Sequence, residues 1–135
     1  MAFQTVFKRY ELKYMLTLEQ KEKILEAMSL YMELDKYGRT TIRNIYFDTD
    51  NYRLIRRSIE KPAYKEKLRI RSYARATADS TVFVELKKKY EKVVYKRRLP
   101  LSERHAMAWV CRERACPVNT QISREIIILS AFTEK

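Results

Sequence analysis

The chain has 135 residues, of which 46% are hydrophobic and 34% charged, and a formal net charge of +12; this suits one folded, soluble domain and excludes a disordered polyelectrolyte. Its longest apolar run, near residues 126–129, is short, and the opening MAFQTVFKRY lacks the apolar core of a signal peptide, so neither a membrane span nor secretion is expected and the chain is expected to be cytoplasmic. A single glycine, Gly38, excludes a glycine-rich phosphate loop, and Cys111, Cys116 and His105 are too few and too scattered for a zinc site.

Residues 6–15 alternate in character. Phe7, Arg9, Glu11 and Lys13 fall on one side and Lys8, Tyr10, Leu12 and Tyr14 on the other, which predicts a strand. Thr17, with Gln20 three residues on, reads as a capping box. Leu18, Ile24, Leu25, Met28 and Met32 then recur at helical spacing, which predicts an amphipathic helix ending in the polar segment around Gly38. Residues 40–48, TTIRNIYFD, are rich in β-formers, and NYRLIRRSIEK at 51–61 suits one or two helical turns stopped by Pro62.

Three more strands follow at 65–75, 81–89 and 92–99, separated by turns at 77–80 and 90–91, an antiparallel meander. Pro100 is expected to end it. Ser102 suits the cap of a helix running to about Arg114. Pro117 breaks that helix, and 119–130 suits a last one. Trp109, with Met107 and Val110, reads as packing, as do most of the ten tyrosines.

Charge concentrates in the middle of the chain. Residues 39–98 hold 18 lysines and arginines against 7 aspartates and glutamates, a net +11 of the total +12. Such a field attracts polyanions. It also falls on alternate positions. Lys65, Lys67, Arg69 and Arg71 oppose Leu68 and Ile70; Phe83, Glu85, Lys87 and Lys89 oppose Val82, Val84 and Leu86; Lys96 and Arg98 share a side with Val94. If these sides meet, they make a basic wall holding a few carboxylates, with the apolar sides packed on the helices. A curved or closed antiparallel sheet can line its interior with charged side chains only where water, ions or a charged ligand fill it. Cations would suit a phosphate chain, and carboxylates a divalent ion. For Glu11 and Glu85 the alternative is salt-bridging with the neighbouring lysines.

The motifs RYELKY, IYFDT, YRLIRRSIEKPAYKEKLRIRSY, VFVELKKKY and VVYKRR together closely resemble the VTC domain. This is a family of polyphosphate polymerases among the triphosphate tunnel metalloenzymes, relatives of the CYTH phosphatases and adenylyl cyclases. The likeness is best over residues 6–101. It implies an α+β fold built on an antiparallel β-barrel forming a tunnel. It implies transfer of the γ-phosphoryl of ATP onto a polyphosphate chain, with Mn2+ or Mg2+. By motif, Lys13, Arg57, Arg69, Arg71 and Lys87 match the family's catalytic cations. Arg9, Lys65, Lys67, Lys89, Lys96 and Arg98 would bind the triphosphate or polyphosphate, and Glu11 and Glu85 would be metal-holding carboxylates. Asp48 and Tyr46 would be structural.

The family domain continues from a QI-x-x-EI helix into a second half. Here Gln121, Ile122, Glu125 and Ile126 keep the start of that helix, and the chain stops at Lys135. The expectation is therefore a single unit, the N-terminal portion of such a domain: an incomplete half-barrel with flanking helices, to which a partner chain would supply the rest. Two other functions fit the same wall: a non-catalytic module binding polyanions, with nucleic acid the less expected ligand, and a triphosphate hydrolase of the same superfamily.

Overall fold

A computed structural model describes residues 3–131. Five strands pair in one sheet: β1 (Val6–Tyr10), β2 (Arg43–Phe47), β3 (Tyr64–Ser72), β4 (Thr81–Tyr90) and β5 (Val93–Ser102). Their order across the sheet is β1-β5-β4-β3-β2, with every pairing antiparallel. The class is α+β, as expected. The sheet is open: β1 and β2 are its two edges and do not pair with each other. Among the described residues the sheet is not closed into a barrel, in keeping with the incomplete half-barrel expected for this chain.

Alternation sorts the side chains. One side carries Leu68, Ile70, Val82, Val84, Leu86, Leu99 and Leu101. They form one buried cluster with Ala106 and Trp109 of α3 (Glu103–Val110) and Ile126 of α4 (Gln121–Ala131). Leu54 of α2 (Arg53–Ile59) packs at its margin. Glu125 of α4 reaches over this side to Arg97 at 3.5 Å and to Lys88 at 3.9 Å, so Lys88 lies opposite its neighbours Lys87 and Lys89. The other side of the sheet carries most of the strands' cations.

Several boundaries move. The first strand stops at Tyr10, five residues short of the alternating stretch. Pro100 does not end β5, which runs to Ser102. The Arg98 amide donates to Thr5 O at 2.8 Å, and amides two apart point the same way. The position where Pro100 lacks an N–H therefore faces the side on which β1 has already ended, where proline costs no ladder bond. The turn after β4 is Glu91-Lys92, because Tyr90 still pairs with Val93, and Glu91 takes the left-handed φ of 51° that such a tight turn requires.

The capping box at Thr17 forms as expected, with both reciprocal hydrogen bonds to Gln20 (2.9 and 3.2 Å). The helix it opens, α1 (Leu18–Met28), buries none of its residues. Its apolar stripe does not pack on the sheet, contrary to expectation.

Candidate functional site

The register settles which charges face one another. Going along β3 and β4, Lys65 sits opposite Lys89, Lys67 opposite Lys87, Arg69 opposite Glu85 and Arg71 opposite Phe83. On the next strand Lys87 faces Lys96 and Glu85 faces Arg98. At the sheet edges Phe7 faces Lys96, and Tyr46 faces Arg69. Three rungs of this ladder are therefore lysine against lysine. Like charges directly opposite destabilise a sheet, so this side is under electrostatic strain wherever nothing negative covers it.

The cations surround an open basin of about 430 Å3. Lys65, Lys67, Arg69 and Arg71 enter it from β3, Lys87 and Lys89 from β4, and Arg9 from β1, with Lys13 and Glu11 from the segment just beyond β1. Tyr46 completes the wall from β2. Eight cations thus line it against one carboxylate. Burial and the like charges of Lys67, Lys89, Lys13 and Lys87 hold the Lys65 ammonium below its ordinary pKa.

Beneath the basin lies a buried ionic cluster centred on Glu85, whose side chain is fully inaccessible. Its Oε2 accepts from Arg69 Nε at 2.6 Å and touches Arg69 Nη2 at 2.6 Å. Its Oε1 accepts from Arg98 Nε at 2.8 Å and Arg98 Nη2 at 2.5 Å. Arg71 and Lys96 stand 3.8 Å away. Burial alone would raise the Glu85 pKa, but Arg69 and Arg98 outweigh it and hold the carboxyl below its usual range. Each guanidinium is fixed a second time by a phenol: Arg69 Nη1 donates to Tyr46 Oη at 3.0 Å, and Arg98 Nη2 to Tyr73 Oη at 2.6 Å. Arg71 Nε donates to Asn44 Oδ1 at 2.9 Å. Partial burial would raise the Tyr46 pKa, but the Arg69 hydrogen bond and charge bring it below its ordinary value.

Lys96 faces the cluster rather than the basin. Its ammonium lies 4.0 Å from the centre of the Phe7 ring, and burial with Arg98, Arg9 and Arg71 nearby lowers its pKa to about 8 despite Glu85. Arg98 points toward a second, more aromatic hollow with Tyr73 and Phe83. Arg57 lies apart from the basin, on α2, where it lines a shallow hollow with Arg53, Arg56 and Glu60. Asp48 accepts the amides of Thr49 (2.8 Å), Leu54 (2.8 Å) and Ile55 (2.9 Å), tying down the first turn of α2. Tyr46, Tyr73 and Asn44 are the supporting side chains that alternation did not single out. Only the register of β2 on β3, and the loop after β3, bring them to their arginines.

In the basin Glu11 accepts from Lys87 Nζ with both oxygens, at 3.1 and 3.2 Å, with Lys13 Nζ at 3.7 Å. Burial would raise its pKa, but the Lys87 hydrogen bond and charge bring it down. Among the described residues no three His, Cys, Asp or Glu side chains come together. This donor set does not fit a divalent ion held by the protein.

A buried carboxylate clamping two strand arginines under a lysine-lined basin is what the motifs RIRSY, VELKKK and YKRR become when they pair. The model of the VTC domain matches residues 8–128 of the sequence. The chain belongs to the VTC domain family. No curated protein and no solved structure matches it. The VTC match runs from β1 into α4, so it takes in the sheet, the basin and the helices that cover the core. Among the described residues of this VTC chain no helix is long and apolar enough to cross a membrane.

Proposed function

We propose that the basin binds a linear phosphate chain, either the triphosphate of ATP or polyphosphate, and that the domain acts in polyphosphate synthesis. The observation that carries this reading is the lysine-against-lysine ladder in a VTC domain: facing cations are tolerable where a polyanion neutralises both sides at once. In the reaction a terminal oxygen of the acceptor chain attacks the γ-phosphorus of ATP. The new P–O bond forms as the γ-phosphoryl leaves its bridging oxygen, and ADP departs. No protein nucleophile is needed, since phosphoryl transfer is catalysed by alignment and charge neutralisation. Lys67, Lys87 and Arg71 would neutralise phosphate oxygens, while Arg69 would act from its fixed place beside Glu85. The divalent Mn2+ or Mg2+ that the family resemblance implies finds no fitting set of protein ligands among the described residues, and no step of this reading runs through it. A tunnel would require further strands across the edges β1 and β2.

A second reading, binding without turnover, is favoured by the openness of the sheet, which leaves water free to reach the basin. The two are separated by calorimetric titration with tripolyphosphate followed by incubation with ATP and a polyphosphate primer. Saturable binding that Lys67→Ala and Arg71→Ala each weaken at least tenfold supports the site; unchanged affinity in both variants removes it. Chain growth in the second step supports the polymerase, release of inorganic phosphate supports a hydrolase, and binding with neither supports the non-catalytic module.

A further inference from the structure

We infer that the basin takes its phosphate chain as a bare polyanion, with Glu11 and Glu85 serving as built-in counter-charges rather than as holders of a divalent ion. The inference rests on the anion-binding reading above and concerns the form in which the anion binds.

The donor accounting is direct. A carboxylate offers two oxygens with about four lone-pair sites. Each Glu85 oxygen is already held by two guanidinium nitrogens, at 2.5–2.8 Å. A metal could reach Glu85 only by displacing both arginines in a fully buried cluster, with Arg71 and Lys96 also standing by. Glu11 is the one carboxylate lining the basin, and both its oxygens are on Lys87. Mg2+ and Mn2+ want several oxygen ligands in near-octahedral array. Here such an ion would find one occupied carboxylate among eight cations, whose repulsion it would feel at close range. The lysines and arginines already supply the charge neutralisation a metal would provide.

Glu11 then has a definite job. It occupies Lys87 when the basin is empty, and an incoming phosphate takes its place. Its lowered pKa agrees, since an ionised carboxylate is the better stand-in. Removing its charge frees Lys87 for the ligand.

The test is calorimetric titration of the whole chain with tripolyphosphate, once in EDTA and once with millimolar Mn2+, for the wild type and Glu11→Gln. The expected result is saturable binding in EDTA, weakened by Mn2+ because the ion competes for the same phosphate oxygens. Glu11→Gln should tighten binding in EDTA by roughly twofold to fivefold, the range of a partly exposed ion pair. Binding that Mn2+ strengthens tenfold or more, with the gain lost in Glu11→Gln, overturns the inference while leaving the basin's anion reading standing. No binding in either medium overturns the anion reading and the inference with it. Electron paramagnetic resonance of Mn2+ with the protein and no phosphate gives an independent readout: an unchanged signal supports the inference, and saturable loss of signal that Glu11→Gln abolishes overturns it.

Discussion

Glu85 orders the floor of the basin by holding Arg69 and Arg98 together, with Arg71 and Lys96 beside them. Its replacement by glutamine keeps the shape but leaves Arg69 and Arg98 buried without a counter-charge. Removing one partner of a buried ion pair typically costs about 3–5 kcal/mol. The prediction is that Glu85→Gln lowers folding stability by an amount of this order, measured by urea unfolding; an unchanged midpoint would show that water compensates the cluster. Lys96 offers a pH handle. Its pKa in the fold is about 8, below the ordinary 10.5, so between those values the unfolded chain binds more protons than the folded one. This group's contribution to stability therefore rises with pH across that window, and it falls again as pH drops through 8. Stability measured at pH 8 and pH 10 should differ less in Lys96→Met than in the wild type. Tripolyphosphate affinity should move the other way, weakening above pH 8 as the ammonium discharges. At this scale the sequence was half legible. Alternation placed Arg69, Glu85 and Arg98 on one side correctly. That Glu85 would clamp both arginines was not readable, because a rung is defined by the register of two strands and alternation describes one. Lys96, expected among the phosphate-binding cations, is placed by the same register beside Glu85 and against Phe7.

Two helices begin with the same chemistry and differ in what they hold up. Thr17 caps α1, and Ser102 caps α3 by accepting from the His105 amide. Removing such a cap costs about 1 kcal/mol of helix stability. In α3 that loss is shared with the core, because Ala106 and Trp109 are buried in it. In α1 it is not, because no residue of that helix is buried. Ser102→Ala should therefore lower the global unfolding midpoint. Thr17→Ala should leave the midpoint alone and reduce amide-exchange protection at residues 21–28 only. Equal global losses in the two variants would contradict the uncoupling of α1. The capping signals for both were plain in the sequence, and so was the apolar spacing of α1. What the spacing could not say is that its stripe would find no partner in this sheet. Pro100 taught the same lesson in reverse. It looked like a strand terminator, yet β5 passes through it, since the neighbouring strand ends before that position.

Across the whole molecule, most of the strands' cations sit on one side of one sheet, with the apolar core on the other. The meander, its order in the chain and its two-sided character follow from alternation and turn spacing. The openness of the sheet depends on how many strands are present, which alternation within each strand does not set. This segregation predicts that salt acts in two directions at once. Raising NaCl from about 0.05 M to 0.3 M shortens the Debye length from roughly 14 Å to 6 Å. It should weaken tripolyphosphate binding steeply, and it should raise the melting temperature of the empty protein by screening the lysine rungs. A melting temperature that falls with salt would mean the rungs carry no strain.

The lysine rungs also bear on the order in which the hairpin of β3 and β4 assembles. Its two ends are unequal: near the connecting loop the rungs pair Ile70 with Val84 and Arg69 with Glu85, while far from it they set ammonium against ammonium. Zipping should start at the loop and finish at the lysines, so the step completed last is the one that builds the basin. Substitutions at Val84 should then slow folding, whereas Lys65→Gln and Lys89→Gln should chiefly slow unfolding. A phosphate chain added during refolding would act on that last step, as a late template for the strands that receive it.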